Sequence, residues 1–485
     1  MSARAMDEHA HASSSGALAS RLRPAFARLP HGLVAVPLLA LALWPVYGVG
    51  YVEYDAAFAL VWGGDLAAGR LPPDLRGPVS PTPHPLATLV GAAMAPLGPA
   101  ALPAVGVLSI VMLAALGWSA FRLGRALCTP LVGALFGVVL LTRPLVVKQG
   151  LAATVDVPFL ALVLGAAALE ADRPRRAPVL ALLAAAGLLR PEAWLLSAAY
   201  LAYLWPGRTG RERLGHGALA ATAPLGWVGV DLLTTGDPLH SLHWTGAGAE
   251  RLGRPTGVGT ALLAGPGYLR AILGGIVLAG GLFGVGIAMW RLRARAVPPL
   301  VLGSLMVLAF LASGAAGLAV LPRYLLAPAA VLALTFAVAA TGWRGTRSTA
   351  ATKVWTSAGV ALVAALLGSL AVDRGGLGPL VQRAEERRAE DGALRSLAAA
   401  PAAGTAVRRC RPIRVHYYRL LPLVAYIAHE RPGALELGPP SEASTGVVLV
   451  PVGPRSRTSK PPGDGFRRLD SNGIFAVYAR CGGTR

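Results

Sequence analysis

Acids are scarce in this 485-residue chain, 24 Asp and Glu against 45 Lys and Arg, yet three fall within YVEYDAAFALVWGGDLAAGRLP, residues 51–72. Glu53, Asp55 and Asp65 follow directly on the apolar run GLVAVPLLALALWPVYGVG, residues 32–50. More ionisable residues mark the ends of later apolar runs. They are His84 in PTPHPL, Arg143, Lys148 and Asp156 at the two ends of KQGLAATVD, Arg190 and Glu192 in LLRPEAW, Asp237, His240 and His243 in DPLHSLH, and Arg323 beside Tyr324 in LPRYLL. Charged groups at membrane depth are costly and are usually functional. Cations among acids suggest two tasks. Arg forks and a Lys point charge hold a phosphate, and an acid takes a proton from an attacking hydroxyl.

The elements that must position these groups are membrane helices. The chain is 54% hydrophobic and 14% charged, with a mean hydropathy of +0.56, whereas a soluble domain is nearer a quarter charged. Its apolar runs lack the two-residue alternation of a barrel strand, so helices are the expected spanning element. Eleven spans are predicted, near 33–50, 104–121, 130–147, 155–170, 177–189, 192–206, 216–233, 268–290, 297–313, 322–341 and 354–371. Arg21, Arg23 and Arg28 precede the first, which makes residues 1–32 a cytoplasmic tail by the positive-inside rule. Every later inward turn then carries at least two basic residues, as in FRLGR, EADRPRR, PGRTGRER, WRLRARA and GWRGTR. Much of the +21 net charge is thereby topological, and the rest meets membrane lipids, so nucleic acid is excluded as a partner. The acids and cations named above all fall on one outer face, with long outer loops at 51–103 and 234–267 and an interfacial helix at 84–98.

Residues 372–485 form a separate extracytoplasmic α/β domain. Helical spacing covers 376–400. TAVRRCRPIRV reads as a strand, HYYRLLPLVAYIAHERPG as a helix with a Gly stop, TGVVLVPVG as a strand, and FRRLDSNGIFAVYARC as a hairpin turning at Asn472-Gly473, the dipeptide of type I′ loops. Cys410 and Cys481 both lie in this oxidising compartment, where a disulfide is permitted.

Several residues carry two readings. Asp55 is either a general base or a solvated helix cap. Asp156 either caps a helix with Pro158 just inside or contacts the acceptor or a metal. Arg190 and Glu192 either close a hairpin as a pair or offer Arg190 to a phosphate. Arg143 is a boundary residue or a site cation. Glu53 and Asp65 read as structural, Asp65 capping a second short helix after Gly63-Gly64. The Asp237-x-x-His240-x-x-His243 pattern permits metal ligation, although contact with donor or acceptor is preferred and no metal ligand is assigned; a divalent metal cofactor stays possible.

The motifs YDAAFALVWGGDLAAGRLP, PTPHPL, ATVDVPFLALVLGA, GLLRPEAW, TTGDPLHSL and LPRYLL, in this order over residues 30–345, resemble GT-C-type integral membrane glycosyltransferases. The resemblance is to the superfamily of bacterial protein O-mannosyltransferases and lipid-A aminoarabinose transferases, and to actinobacterial mannosyl- and arabinosyltransferases. It implies transfer of a sugar, of the mannose or arabinose class, from a polyprenyl-phosphate donor to a glycan, protein or lipid acceptor outside the cell membrane. It implies Asp55 as the base, Lys148, Arg190 and Arg323 as holders of the donor phosphate, and Glu53, His84, Asp156, Glu192, Asp237, His240 and Tyr324 as substrate contacts. The competing class is a membrane transporter or lipid flippase of envelope intermediates, which would show internal repeats and mid-span charges.

Overall fold

In a computed structural model the protein is described over residues 31–72, 80–344, 349–372, 376–439, 445–452 and 462–481. Of the expected cytoplasmic tail only His31 and Gly32 fall within them, and Arg21, Arg23 and Arg28 lie outside the described residues. Helix α1 (His31–Tyr47) is followed by an irregular segment, Gly48–Glu53. Helix α2 (Tyr54–Ala67) then runs unbroken through Gly63 and Gly64. Asp65 therefore caps no second helix and instead pairs with Arg70 at 2.7 Å.

Helix α3 (Pro85–Met94) starts behind His84 and leads through a tight turn, kinked at Gly98, into α4 (Ala101–Leu127). The expected span at 130–147 is two helices, α5 (Pro130–Leu141) and α6 (Pro144–Leu151), bent by 69°. Pro144 supplies the reason: it lacks an N–H and forces the residue before it out of the helical region, and Arg143 is extended with ψ 124. Next come α7 (Asp156–Asp172), α8 (Ala177–Leu189), α9 (Ala193–Leu204) and α10 (Gly210–Thr235). A capping box between Thr209 and Glu212 starts α10, a pattern present in the sequence as T-x-x-E.

The long loop expected at 234–267 is largely helical. It contains α11 (His240–Arg251) and the first half of α12 (Val258–Leu273). Gly274, at φ 75, separates α12 from α13 (Gly275–Leu292), so the span expected at 268–290 is also broken. Helices α14 (Val297–Ala315), α15 (Leu326–Thr341) and α16 (Ala350–Val372) complete the bundle. Every residue of α15 but Leu332 is buried, with α5, α13, α14 and α16 packed around it. A Cβ on Gly284 would collide with the Thr335 carbonyl, so α13 and α15 touch backbone to backbone, as small residues allow in membranes.

Among the described residues five helical stretches are long and apolar enough to cross a bilayer, and the bent α5–α6 pair makes a sixth. Other expected spans are shorter apolar helices, among them α1, α8, α9 and α12. Large apolar side chains such as Leu38 and Leu41 on α1, Leu263 on α12, and Phe283 and Trp290 on α13 are exposed, as lipid-facing surfaces require.

The arginine-bearing turns meet one another. Arg122 pairs with Asp172 at 2.6 Å, Arg208 donates to the Arg175 carbonyl at 2.9 Å, and Arg295 donates to the Ala126 carbonyl. Asp172 is the tail of α7 and Asp156 its head, about 24 Å apart at 1.5 Å per residue. Arginine clusters and chemical acids thus occupy opposite ends of the bundle.

The C-terminal part begins with α17 (Gly378–Ala399) and α18 (Pro401–Arg409). The strand expected over TAVRRCRPIRV is confined to β1 (Ile413–Val415), because the segment before Cys410 is helical. Helix α19 (Leu421–Ala428) stops at His429, which takes the left-handed conformation itself, not at Gly433. Strands β2 (Leu435–Leu437), β3 (Gly446–Pro451), β4 (Arg467–Ser471) and β5 (Phe475–Arg480) complete a sheet of order β2-β1-β3-β5-β4. β1 is parallel to both neighbours, pairing Ile413 with Leu435 and Val447, while β3–β5 and β5–β4 are antiparallel. The β4–β5 turn is not type I′, which needs both central residues at positive φ. Only Gly473 is there, at φ 82, and the Asn472 side chain instead accepts bonds from Ile474 and Phe475. Cys410 and Cys481 are joined in a disulfide.

This domain is fused to the bundle through α2. Phe58, Leu60 and Trp62 of α2 share one buried cluster with Leu420, Leu421 and Leu423. The C-terminal domain therefore sits at the same end of the bundle as Asp55.

Candidate active site

Asp55 stands in the first turn of α2, where the positive end of the helix dipole favours a carboxylate. It is not a cap, since the N-cap position belongs to Glu53. A close helix crossing sets its depth. A Cβ on Gly91 would collide with the Ala59 carbonyl, and one on Gly63 with the backbone of Gly91 and Ala92. Only glycine lets α2 and α3 approach this closely, and the crossing brings the head of α3, with His84, beside Asp55.

Five ionised side chains form a chain of contacts. The Arg323 guanidinium lies 4.0 Å from Asp55 and 3.8 Å from Asp156. Arg190 donates to the other oxygen of Asp156, and it engages Glu192 through both Nη2 at 2.5 Å and Nε at 3.3 Å. The Asp156 side chain is only 1% exposed. Its second oxygen takes bonds from Gln149 at 2.8 Å and Thr154 at 3.2 Å, so the carboxylate is fully engaged and caps no helix; Val155 holds the N-cap position. The guanidinium of Arg190 also lies over the rings of Tyr324 at 4.6 Å and Phe159 at 5.3 Å, a cation–π sandwich.

Burial divides the cluster. Side-chain exposure is 7% for Arg190 but 31% for Arg323 and 26% for Asp55. Asp55 accepts no hydrogen bond from any described residue. Arg323 Nε and His84 Nδ1 are buried and have no partner among the described residues. Such orphaned polar atoms are rare and call for a reason. Burial lowers the His84 pKa, and Arg323 and Arg190 add to this against the opposing pull of Asp55, so the ring is neutral. It packs edge-on against Trp227, 5.8 Å between centroids.

The remaining candidates lie outside this chain of contacts. Lys148 is exposed, in the last turn of α6, and forms no ion pair among the described residues; its neighbour Gln149 is the one that reaches Asp156. Glu53 faces the C-terminal domain and pairs with Arg419 at 3.3 Å. Arg143 donates to the Leu273 carbonyl at 2.7 Å and closes the end of α12. Asp237 pairs with His243 at 2.8 Å, while His240 stacks on Trp244, so the two histidines are committed to different partners. Helix α11 instead braces the approach to His84: Trp244 donates to the Ser80 carbonyl, and Thr82 and Thr245 hydroxyls meet at 2.5 Å. Among the described residues no three His, Cys, Asp or Glu side chains converge as a metal would require. The sequence reading overlooks Gln149 and Thr154, although both lie within the KQGLAATVD motif.

A helical membrane bundle with an acid just past its first helix and an α/β domain over the same end has the fold of GT-C-type membrane glycosyltransferases. Among solved structures the chain is similar to ArnT from Cupriavidus metallidurans bound to undecaprenyl phosphate, with a TM-score of 0.50 and 13% identity over 92% of this chain and 98% of that one. No protein-family model and no curated protein sequence matches it.

Proposed function

We propose that this protein is an integral membrane glycosyltransferase that moves a sugar from a polyprenyl-phosphate donor to an extracytoplasmic hydroxyl. The observation that carries the reading is the half-exposed Asp55–Arg323 pair, with the orphaned Arg323 Nε and His84 Nδ1 beside it. The fold's similarity to a protein bound to undecaprenyl phosphate supports the donor class. In this reading the acceptor oxygen attacks the anomeric carbon and its proton passes to the Asp55 carboxylate. The bond from that carbon to the phosphate oxygen breaks, with inversion, and its electron pair leaves on the lipid phosphate. That leaving group is already anionic, so it needs cations and no general acid. Arg323, loosely paired and open to solvent, supplies the electrostatic stabilisation. The cluster sets three carboxylates, Asp55, Asp156 and Glu192, against two guanidiniums. The exposed Lys148 ammonium is the spare cation for an incoming phosphate. Arg190, locked between Asp156 and Glu192, serves as the post that holds Asp156 and Tyr324 in place. The N-terminus lies in the cytoplasm and the C-terminal domain outside, with the site at the outer membrane surface where a lipid-tethered sugar sits.

The test is reconstitution in vesicles with polyprenyl-phosphate mannose or arabinose and an envelope extract as acceptor. Donor consumption with release of polyprenyl phosphate is expected. Absence of consumption with every polyprenyl-phosphate sugar offered overturns the reading.

A further inference from the structure

The segment Gly48–Glu53 is the only stretch of chain between α1 and the helix that carries Asp55, and it has no secondary structure of its own. Its backbone groups are shared between two bodies. The bundle takes two of them: Gly50 donates to the Gly106 carbonyl at 3.0 Å and Tyr51 to the Leu151 carbonyl at 2.7 Å. The C-terminal domain takes two others. Arg388 on α17 donates to the Val49 carbonyl, and the Asp391 carboxyl, one helical turn on, faces the Val52 N–H. The Arg388 guanidinium lies so close over Gly48 that a Cβ there would stand 3.2 Å from its Nη1. Past the segment the grip continues through Arg419 on Glu53 and the edge-on contact of Tyr418 with Tyr54, 5.5 Å between centroids. Asp391 is buried, 9% exposed, at a position where a charged helix would ordinarily face water, so its place under the segment is a built feature of the domain interface.

We propose that the C-terminal domain positions the Asp55 carboxylate, with Arg388 and Asp391 as the positioning residues that clamp the Gly48–Glu53 segment against the bundle. The proposal rests on the reading of Asp55 as the base. Neither residue touches the reacting atoms. Their task is to fix the azimuth and depth of the first turn of α2, where a displacement of about 1 Å costs a large factor in rate. Burial pushes the Asp391 carboxyl up to about 7, with Glu390 adding to the shift and Arg395 and Arg387 opposing it, which is consistent with a carboxyl held dry beneath the segment.

The experiment uses the full chain in nanodiscs and the variants Arg388→Gln, Asp391→Leu and Asp391→Asn. Hydrogen exchange is followed at residues 49–58 and, as reference, in β3 and β5. Loss of one charge-assisted hydrogen bond should speed exchange of 49–58 by roughly tenfold or more in Arg388→Gln and Asp391→Leu, with the sheet unchanged. Asp391→Asn keeps an acceptor for Val52 and should exchange like the parent. Transfer should lose kcat by a similar factor in the first two variants, with the donor KM within about twofold, because the donor's own contacts are elsewhere. Unchanged exchange at 49–58, or loss of sheet protection together with it, overturns the proposal. So does Asp391→Asn behaving like Asp391→Leu. The exchange arm needs no turnover. A parent protein that consumes no donor therefore refutes the proposed function while the clamp is still decided.

Discussion

The two arginines of the cluster should part company when each is replaced by glutamine. Arg190 is 7% exposed and bonded to two carboxylates, one of which, Asp156, is 1% exposed. Removing one member of a buried, hydrogen-bonded ion pair leaves an uncompensated charge and costs about 3–5 kcal/mol. Unfolding entropy near 2 cal/mol/K per residue over 485 residues comes to about 1 kcal/mol/K, so Arg190→Gln should lower the melting midpoint by about 4 °C. Arg323 differs in both respects. Its carboxylates stand at 3.8 and 4.0 Å, beyond hydrogen-bond reach, and its side chain is 31% exposed. A pair held beyond hydrogen-bond reach stabilises less than a bonded one, so Arg323→Gln should melt closer to the parent than Arg190→Gln does. Its deficit should appear in chemistry instead, a fall of about 10²-fold in kcat on loss of one stabilising donor. Thermal unfolding in detergent beside initial transfer rates measures both. The reasoning is refuted if Arg190→Gln melts with the parent, or if Arg323→Gln transfers at the parental rate.

The glycine crossing gives a matched pair. Gly91→Ala drives a Cβ into the Ala59 carbonyl, whereas a Cβ on Gly64 meets nothing within 4 Å. Gly91→Ala should abolish transfer, and Gly64→Ala should keep it and add up to about 1 kcal/mol of helix stability, read from rates and melting curves. Removing the Cys410–Cys481 link, 71 residues apart, by Cys481→Ser should cost the C-terminal domain about 2–5 kcal/mol. Alkylation without reduction should label Cys128 alone among the three cysteines. Asp391 sets a pH dependence. Its folded pKa of about 7 is above its ordinary 3.8, so folding favours the protonated form. Stability is then highest in acid and is lost as pH rises through 7. Asp391→Asn should flatten the melting-midpoint slope between pH 5 and 8.

Much of this architecture is legible from hydropathy, because lipid forces helices. Helix α8 over 177–189 and the hairpin strands at 467–480 fall where spacing puts them. What escapes the sequence is tertiary. The partner of Glu53, Arg419, is 366 residues away, a separation no periodicity reports. Gly63 and Gly64 read alike, yet only Gly63 lies in a helix crossing. Asp391 looks like one more charge on a solvated helix face until the bundle covers it. The break at Arg143 was readable from Pro144, but the apolar flanks on both sides outweigh one proline in a window average. Within the candidate site, residue types single out Asp55, Arg190 and Arg323. The division of labour proposed for the two arginines depends on burial, which composition does not encode.

The most direct test of the account is a single turnover of polyprenyl-phosphate sugar by Asp55→Asn, with binding of polyprenyl phosphate measured on the same preparation. Asparagine keeps the shape and removes the proton acceptor. The account predicts lipid binding within a few-fold of the parent and transfer slowed by about 10²–10⁴. Transfer by Asp55→Asn at the parental rate would contradict it.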